Sequence, residues 1–308
     1  MNACIRAVVR TAVYNNIEVY GIGRGYQGMI QGEIYRLFSH SVSNTIQKGG
    51  TILKSARCPA FHTKEGRQKA YEQIKKFGID ALVAIGGNGT FTGAEIFSQE
   101  YDIPVMGAPG TIDNDLYGTD YTIGYDTAVN TALEAIDKIR DTADSHERVF
   151  FVEVMGRDSG YIAMPCAIGG GAEMVLIPET ITSMDSLIKT LKQGWSRSKT
   201  SSIIVVAEGD DEGNATEIAA KVKSELPQMD AKVTILGHIQ RGGAPTAADR
   251  LLASRMGMSA VEALLEGRRN EMVGVINDQI VFTPFHDTIT KKKPINESFL
   301  KMVEILSV

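Results

Sequence analysis

Two carboxylates and a hydroxyl lie close together in the segment Pro109–Asp115, which reads PGTIDND. The segment follows a predicted strand, Val105–Gly107, and open α/β sheets bind ligands beyond the carboxyl ends of their strands. Either Asp113 or Asp115 could accept a proton while the other holds Mg²⁺, and phosphoryl transfer requires both tasks. Thr111 adds a hydroxyl. The alternative is a capping turn rich in Asx residues.

A glycine-rich loop, Gly86–Thr90, follows the predicted strand Ala81–Ile85. Glycines let the backbone approach a phosphate, and the N–H groups and dipole of a following helix favour anions. The alternative is a tight strand–helix turn without a ligand. Similar loops occur in NAD kinases and lipid kinases, so this loop alone does not identify a substrate.

Three further predicted strand ends carry groups suited to a sugar phosphate. Arg157, in the sequence MGRDSG, can bind a phosphate with its planar guanidinium. His238 and Arg241 lie in a loop with three glycines, and Glu208 could accept sugar hydroxyls. Each has a structural alternative: a helix cap, a structural cation or an ordinary exposed acid. Five such strand ends together indicate phosphoryl transfer to a small anionic substrate.

Short apolar runs alternate with amphipathic stretches along the chain, which predicts βαβ units. Continuous apolar runs are typical of buried parallel strands. We therefore predict two doubly wound, Rossmann-like α/β domains with mainly parallel sheets. The predicted strands are Ile17–Ile22, Ala81–Ile85, Val105–Gly107, Val149–Val154, Met174–Ile177, Ile203–Ala207, Val233–Leu236 and Met272–Ile276. The predicted helices are residues 3–14, Glu65–Phe77, Thr127–Thr142, Met184–Lys199 and Thr246–Glu266.

The composition argues against several classes of protein. The net charge of -5 is unlike that of a nucleic-acid-binding protein, and no apolar run is long enough for a membrane span. The three cysteines, Cys4, Cys58 and Cys166, are widely spaced, so we expect neither a disulfide framework nor a zinc site. The first residues do not resemble a signal peptide. We expect a cytoplasmic protein that uses neither a membrane nor nucleic acid as partner.

Several long motifs resemble those of bacterial ATP-dependent 6-phosphofructokinases. They are PGTIDND, MGRDSG and LGHIQRGG, together with DYTIG at residues 120–124, RDT at 140–142 with SH at 145–146, and LASRMG at 252–257. The resemblance runs from residue 1 to about residue 285, and it starts just after the family's first strand and glycine loop. The family transfers the γ-phosphoryl group of Mg-ATP to the 1-hydroxyl of fructose 6-phosphate in glycolysis.

The resemblance implies roles for residues of this chain. Asp113 is similar to the catalytic base, with Thr111 and Arg157 as further catalytic residues, and we expect Asp113 to lie with Arg157, Glu208 and His238. The implied contacts to fructose 6-phosphate are Thr111, Ile112, Asp113, Met155, Gly156, Arg157, Glu208, His238 and Arg241, with Arg148 and Lys232 reaching into a neighbouring subunit. The implied contacts to ATP are Arg57, Cys58, Gly87, Asn88, Gly89 and Thr90.

The resemblance also implies a metal ion, effectors and an assembly. Asp115 and Asn88 match the Mg²⁺ positions, although the family has an aspartate at position 88 and an arginine at position 232. Gly89 indicates ATP as donor, since pyrophosphate-using relatives tend to carry aspartate there. The family forms homotetramers with an effector site for ADP or phosphoenolpyruvate, implied at Arg6, Arg10, Arg140, Glu173, Arg197 and Lys199.

From this resemblance we predict an ATP-binding domain over residues 1–124 and 240–290. A fructose 6-phosphate-binding domain would comprise 125–239 and 291–308. The alternative function is that of a catalytically weak paralogue that binds phosphorylated metabolites as a regulatory subunit.

Overall fold

The computed structural model describes residues 1–143, 148–196 and 201–307. The strands are Val19–Ile22 (β1), Ile34–Leu37 (β2), Leu82–Gly86 (β3), Val105–Pro109 (β4), Arg148–Val154 (β5), Met174–Leu176 (β6), Ser201–Ala207 (β7), Asp230–Ile235 (β8), Glu271–Ile276 (β9) and Gln279–Pro284 (β10). The helices are Asn2–Tyr14 (α1), Gly25–Gln31 (α2), Lys64–Lys76 (α3), Asn88–Tyr101 (α4), Tyr125–Ala143 (α5), Ala163–Gly169 (α6), Met184–Ser196 (α7), Ala215–Glu225 (α8), Ala247–Leu265 (α9), Phe285–Thr290 (α10) and Glu297–Leu306 (α11).

The chain forms two compact units. Unit 1 comprises Met1–Thr111, Leu116–Gly124 and Gly243–Lys293, and unit 2 comprises Ile112–Asp115, Tyr125–Gly242 and Pro294–Val308. Each unit therefore draws on three separate stretches of chain. Which unit binds ATP and which binds the sugar phosphate stays a prediction at this point.

Unit 2 is built on a four-stranded sheet in the order β6-β7-β5-β8, and all of its strand pairs are parallel. Alternate residues of β5 face opposite layers because side chains alternate along a strand. Phe150 and Val152 pack in a core cluster with α5 and α6. Phe151 packs on the other face with α7 and α8. Helices thus cover both faces, and the unit is doubly wound.

Unit 1 contains a four-stranded sheet in the order β10-β9-β4-β3 and a separate two-stranded sheet of β1 and β2. The pairs β3–β4 and β4–β9 are parallel, whereas β10 pairs antiparallel with β9. Met106 and Ala108 pack on one face with residues of α1 and α9. Val105 packs on the other face with Phe91 of α4 and Phe285 of α10.

The predicted fold class is confirmed, since both units are α/β and five of the seven strand pairs in the described residues are parallel. The helix predicted over residues 3–14 corresponds to α1. No helix in the described part of the chain is long and apolar enough to cross a membrane.

An ion pair between a buried arginine and a partly exposed glutamate ties α3 to α4 in unit 1. Arg67 is 8% exposed, donates to both carboxylate oxygens of Glu100 at 2.7 Å, and also donates to the carbonyls of Phe61 and His62. We expect Arg67→Ala to lower the free energy of unfolding by about 1–3 kcal/mol, because the change leaves two carbonyls and a partly exposed carboxylate without their donor. Urea unfolding measures this. Lys69→Ala, which removes an exposed pair on the same helix, is the control and should change stability little.

The same pair predicts a pH dependence of stability. The hydrogen bond from Arg67 lowers the pKa of Glu100 below its ordinary value. A lowered carboxyl pKa stabilises the fold above the ordinary pKa, and this stabilisation is lost as the pH falls through the lowered value. The stability difference between the wild type and Arg67→Ala should therefore shrink in acid. An unchanged difference would show that Glu100 does not carry the effect.

Candidate active site

Three neighbouring parallel strands of unit 2 deliver predicted site residues to one edge of their sheet. In the order β7, β5, β8, they lead into Glu208, residues 155–160 and the turn Gly237–Arg241. Parallel strands end at the same edge, so the sheet itself brings these segments together. The Glu208 N–H donates to the carbonyl of Val154 at 3.0 Å. This bond holds Glu208 beside the loop after β5.

The loop after β5 has an uncommon backbone conformation. Gly156 has φ +152° and Arg157 has φ +53°. A side chain on Gly156 would place its Cβ 2.5 Å from the carbonyl oxygen of Ser159, so only glycine fits. The Glu208 carboxylate accepts the Arg157 N–H at 2.7 Å and lies 3.4 Å from the Gly156 nitrogen. Strained backbone persists where its surroundings enforce it, and Glu208 supplies that support.

Asp113 lies against this loop. Its side chain is 8% exposed, and the Arg157 Nε is 3.4 Å from its Oδ2. The neighbouring Ile112 packs on the core of unit 2. The Ser159 hydroxyl lies 3.2 Å from the Asp113 carbonyl oxygen and 2.9 Å from that of Gly156, and the two carbonyls share its one hydrogen. The Arg157 side chain is 66% exposed. The structure thus combines a fixed carboxylate with a guanidinium that a dissolved anion can reach.

The buried amide of Gln240 joins two of the site segments. Gln240 is 1% exposed, and its Oε1 accepts the Met155 N–H at 2.9 Å. It thereby anchors the turn that carries His238 and Arg241 to the first residue after β5. Neither Gln240 nor Ser159 was predicted as a functional residue, although both lie inside the quoted motifs. The sequence around a neutral polar residue in a polar loop gives no sign that its side chain is buried.

His238 and Arg241 are exposed on the turn above Gln240. Within the part of the chain that the structure describes, no carboxylate forms an ion pair with either. Two nitrogen-bearing side chains on one exposed turn suit an oxyanion such as a phosphate ester.

The glycine loop of unit 1 joins β3 to α4. A side chain on Gly86 would place its Cβ 2.2 Å from the Thr90 hydroxyl oxygen, so the turn requires glycine there. Gly87 is the N-cap of α4, which begins at Asn88. The N–H groups and dipole at this end of the helix favour an anion. A Cβ on Gly89 would meet no atom within 4 Å, so the loop is open at that point.

Tyr26 connects this loop to the segment that contains Arg57 and Cys58. Its hydroxyl donates to the Thr90 carbonyl at 2.6 Å, and its ring stacks on Phe61 with centroids 3.8 Å apart. Burial raises the pKa of Tyr26, which keeps the hydroxyl protonated and able to donate. Phe61 lies in a short 3₁₀ turn that follows Cys58, and Arg57 is exposed.

Thr111 lies next to the same glycine loop in unit 1. A Cβ on Gly87 would be 3.4 Å from the Thr111 Cβ and 3.9 Å from its hydroxyl oxygen. The predicted catalytic hydroxyl therefore borders the predicted ATP loop.

Arg148 and Lys232 do not join the other predicted sugar-phosphate contacts. Arg148 is the first residue of β5, and Lys232 lies in the first half of β8. The seven residues of β5 span roughly 23 Å, so both cations lie towards the opposite edge of the sheet from Arg157. Both bind the same carboxylate, Asp230, at 2.8 Å. Hydrogen bonds from Lys232 and then from Arg148 lower the pKa of Asp230.

The predicted effector residues occur in both units. Arg6 and Arg10 lie on α1 of unit 1, whereas Arg140 and Glu173 lie in unit 2. Arg140 donates to the carbonyls of Gly170 and Gly171 at 2.6 Å. Arg197 and Lys199 lie outside the described residues.

The loop of unit 2 that carries Asp113 and Asp115 suits a hard cation. Burial raises the pKa of Tyr161 to about 12, and the negative charges of Glu179 and Asp115 add to this effect. The described residues include no group of three or more His, Cys, Asp or Glu that could hold a metal. Mg²⁺ commonly takes one or two carboxylates and completes its shell with water and substrate phosphates, so these residues fit Mg²⁺ that arrives with a nucleotide.

Comparison with known proteins gives matches along the whole chain. A family model described as Phosphofructokinase matches residues 1–264. An ATP-dependent 6-phosphofructokinase of Cytophaga hutchinsonii is 66% identical over 307 residues, which cover 100% of this chain and 94% of that protein. An ATP-dependent 6-phosphofructokinase 1 of Thermus thermophilus is 54% identical and covers 100% and 95%.

Solved structures give the same result for the fold. A phosphofructokinase from Saccharomyces cerevisiae matches with a TM-score of 0.90 and 32% identity, over 100% of this chain and 45% of that one. A Pichia pastoris phosphofructokinase in the T-state matches with a TM-score of 0.88 and 36% identity, over 94% and 34%. This chain thus spans less than half the length of these two structures.

Proposed function

The chain belongs to the phosphofructokinase family, and we propose that it transfers the γ-phosphoryl group of Mg-ATP to the 1-hydroxyl of fructose 6-phosphate. The product is fructose 1,6-bisphosphate. The observation that supports this most directly is the buried Asp113 carboxylate with the exposed Arg157 guanidinium 3.4 Å away. A base and an anion-binding cation side by side are what phosphoryl transfer to a hydroxyl requires.

Asp113 acts as the general base. Its carboxylate accepts the proton of the 1-hydroxyl as that oxygen attacks the γ-phosphorus, and the bond from phosphorus to the β,γ-bridging oxygen breaks. Burial and the nearby Ser159 hydroxyl hold Asp113 in one place, which favours an aligned attack. Arg157 stabilises the charge on the transferred group. Asp115 would hold Mg²⁺ together with the substrate phosphates, and the ion would neutralise part of the phosphate charge.

The remaining residues of the unit 2 edge hold the sugar phosphate. His238 and Arg241 bind the 6-phosphate from their exposed turn, and Gln240 keeps that turn in register with the loop after β5. The Glu208 carboxylate accepts a hydrogen bond from the Arg157 N–H. Its remaining lone pairs accept a hydrogen bond from a sugar hydroxyl. Unit 2 is accordingly the sugar-phosphate domain and unit 1 the ATP domain.

The donor is ATP, held at the start of α4. The helix end and the glycines at 86, 87 and 89 offer backbone N–H groups to phosphates. The space at Gly89 leaves room for a nucleotide's α-phosphate, which an aspartate there would fill. Arg57 contributes a cation from its exposed position beside Cys58.

Asn88→Asp should raise kcat/KM for Mg-ATP. A carboxylate is a stronger ligand than an amide for a hard cation, and the metal ion neutralises developing charge in phosphoryl transfer. Steady-state kinetics at several Mg²⁺ concentrations measure the change, which should be largest when Mg²⁺ is scarce. Asn88→Ser, which adds no charge, is the control. Equal rates for the aspartate and serine variants would contradict a metal role at position 88.

We further propose a homotetramer in which Arg148 and Lys232 complete a neighbouring subunit's sugar-phosphate site. Their position towards the opposite edge of the sheet supports this, because they cannot reach the same subunit's Arg157. ADP or phosphoenolpyruvate would act as effector at Arg6, Arg10, Arg140, Glu173, Arg197 and Lys199. The three cysteines are free thiols, which suits the reducing cytoplasm.

The double variant Arg148→Ala, Lys232→Ala should raise the KM for fructose 6-phosphate about tenfold or more, because each cation contributes charge-assisted hydrogen bonds. It should leave kcat within a small factor. Initial rates measure both constants, and sedimentation checks the assembly. Asp230→Asn, which keeps both cations but removes their shared carboxylate, is the matched variant and should not raise the KM. A monomer with wild-type KM would contradict the shared site.

A second candidate function is that of a regulatory subunit with weak catalysis, and the neutral Asn88 at the metal position favours it. An assay coupled to aldolase decides between the two. With fructose 6-phosphate, the kinase proposal expects turnover with ATP and none with pyrophosphate. Binding of both substrates without turnover would support the regulatory function instead.

A further inference from the structure

Carboxylates from two neighbouring strands hold the loop that carries Arg157. At the start of the loop, Glu208, which follows β7, accepts the Arg157 N–H at 2.7 Å. At its end, Glu179, which follows β6, accepts the Gly160 N–H, and the Gly160 nitrogen lies 2.9 and 3.0 Å from the two carboxylate oxygens. Because β7 lies between β6 and β5, both acceptors approach from the same side of β5. Glu179 is therefore a second anchor for this loop.

Gly160 is buried and closely packed. A Cβ at position 160 would lie 2.5 Å from the Cγ2 of Ile177, which is itself fully buried. Within the described residues, the Gly160 N–H has no acceptor other than Glu179. A buried N–H without an acceptor is costly, because it has lost water and gained no partner. Without the Glu179 carboxylate, we expect the loop to shift until this N–H meets water.

A shift at Gly160 reaches the proposed catalytic groups through one turn. The Ser159 N–H donates to the Gly156 carbonyl at 3.1 Å, and Arg157 lies between these two residues. The Ser159 hydroxyl also lies 3.2 Å from the Asp113 carbonyl oxygen. The position of Gly160 therefore helps to set where the Arg157 backbone lies relative to Asp113.

The segment that carries Glu179 is itself tied to the loop after β7. The Thr182 N–H donates to the Asp211 carboxylate at 3.1 Å, and the Thr182 hydroxyl donates to the Asp210 carboxylate at 2.8 Å. Thr182 and Asp210 are both buried. Because Asp210 and Asp211 follow Glu208 on the same loop, the loops after β5, β6 and β7 form a closed ring of hydrogen bonds. Glu179 thus acts from a fixed position.

We propose that Glu179 is a positioning residue for phosphoryl transfer, and that its bond to Gly160 holds the Arg157 guanidinium at the transferred group. This inference rests on the proposed kinase function. The Arg157 side chain is 66% exposed, so the backbone of its turn largely decides where the guanidinium can reach. A misplacement of about 1 Å can lower a rate about 10²-fold. Glu179 thus contributes through geometry and not through contact with a substrate.

An effect of charge is the alternative role for Glu179. Burial raises the pKa of Tyr161, and the charges of Glu179 and Asp115 raise it further, so Glu179 would act on a cation at Asp115 by charge alone. The hydrogen bonds favour positioning, because both Glu179 oxygens lie within hydrogen-bond distance of the Gly160 nitrogen. Glutamine separates the two roles, since it keeps an acceptor oxygen and removes the charge.

The test compares Glu179→Ala and Glu179→Gln in the intact chain, with Mg-ATP and fructose 6-phosphate as substrates. Glu179→Ala should lower kcat about tenfold or more, while the KM for fructose 6-phosphate changes less than about twofold. Glu179→Gln should retain most of the wild-type kcat, because its amide oxygen still accepts the Gly160 N–H. Glu225→Ala, which removes an exposed carboxylate at the end of α8 in the same unit, is the control and should match the wild type.

Two further measurements separate positioning from a merely structural role. In the Arg157→Gly background, Glu179→Ala should lower kcat by less than about twofold, because the group that Glu179 positions is absent. Hydrogen exchange in peptides that cover residues 155–162 should be faster in Glu179→Ala than in the wild type and Glu179→Gln. If Glu179→Ala does not fold, Glu179→Asp decides: its shorter side chain should lose the bond and kcat although it keeps the charge.

Four results would overturn the inference. They are a wild-type kcat in Glu179→Ala, equal losses in the alanine and glutamine variants, additive losses with Arg157→Gly, and unchanged hydrogen exchange. Equal losses that extra Mg²⁺ relieves would assign Glu179 to the metal ion by charge. A wild type without turnover would overturn the proposed function and this inference with it. Turnover by the wild type and equally by Glu179→Ala would overturn the inference alone.

Discussion

Asp113→Ser is expected to lower kcat by about 10²–10⁴, the usual contribution of a general base. The dissociation constant for fructose 6-phosphate should stay near its wild-type value. A base is needed only as the hydroxyl attacks, so its loss raises the barrier without weakening ground-state binding.

Asp137→Ser is the matched control for this prediction. Asp137 lies on α5 in the same unit, and its side chain is exposed, so the same chemical change should leave kcat unaltered. Steady-state kinetics give kcat, and calorimetric titration with fructose 6-phosphate gives the dissociation constant. If turnover of Asp113→Ser stays within a few-fold of the wild type, Asp113 is not the base.

Arg157→Gly is expected to lower kcat by about 10²–10³, the usual cost of removing a preorganised group that stabilises developing charge. The backbone should tolerate the change, because Arg157 has φ +53° and glycine adopts that conformation without steric cost. Thermal unfolding should therefore show equal or higher stability while activity falls. This combination separates the guanidinium from any structural role of the turn.

Two further variants test whether the guanidinium of Arg157 is responsible for the loss of kcat in Arg157→Gly. Arg157→Lys keeps the charge but loses the planar fork, so its kcat should lie between those of the wild type and Arg157→Gly. Asp158→Ala changes the exposed neighbour in the same turn and should leave kcat unchanged. Comparable losses for Asp158→Ala and Arg157→Gly would indicate that the turn, and not the guanidinium, matters for catalysis.

The sequence predicted the parts of the fold whose periodicity is strong. Buried parallel strands such as β5 and β7 read as unbroken apolar runs, and the apolar stripe of residues 3–14 predicted α1. We did not predict β2 or β10. β2 has four residues with an exposed, polar middle, and β10 pairs antiparallel beside β9 at a sheet edge, so neither carries the continuous apolar pattern.

The candidate site was predictable where charge or glycine content marked it. Asp113, Arg157, Glu208 and His238 stood out as strand-end residues. The supporting contacts were not predictable, because they depend on distance and burial: the bond from Gln240 to the Met155 N–H is one example. The carboxylate that Arg148 and Lys232 share, Asp230, also follows only from the pairing register of β5 and β8.

The proposed phosphoryl transfer to the 1-hydroxyl of fructose 6-phosphate is tested most directly by identifying its phosphorus-containing products. The chain is mixed with Mg-ATP and fructose 6-phosphate, and ³¹P NMR follows the products over time. We predict a new phosphate ester on C1 of the sugar that grows at the rate at which ADP appears, and no such signal with Asp113→Ser on the same time scale. ADP formed together with inorganic phosphate, or a C1 ester formed equally fast by Asp113→Ser, would contradict this account.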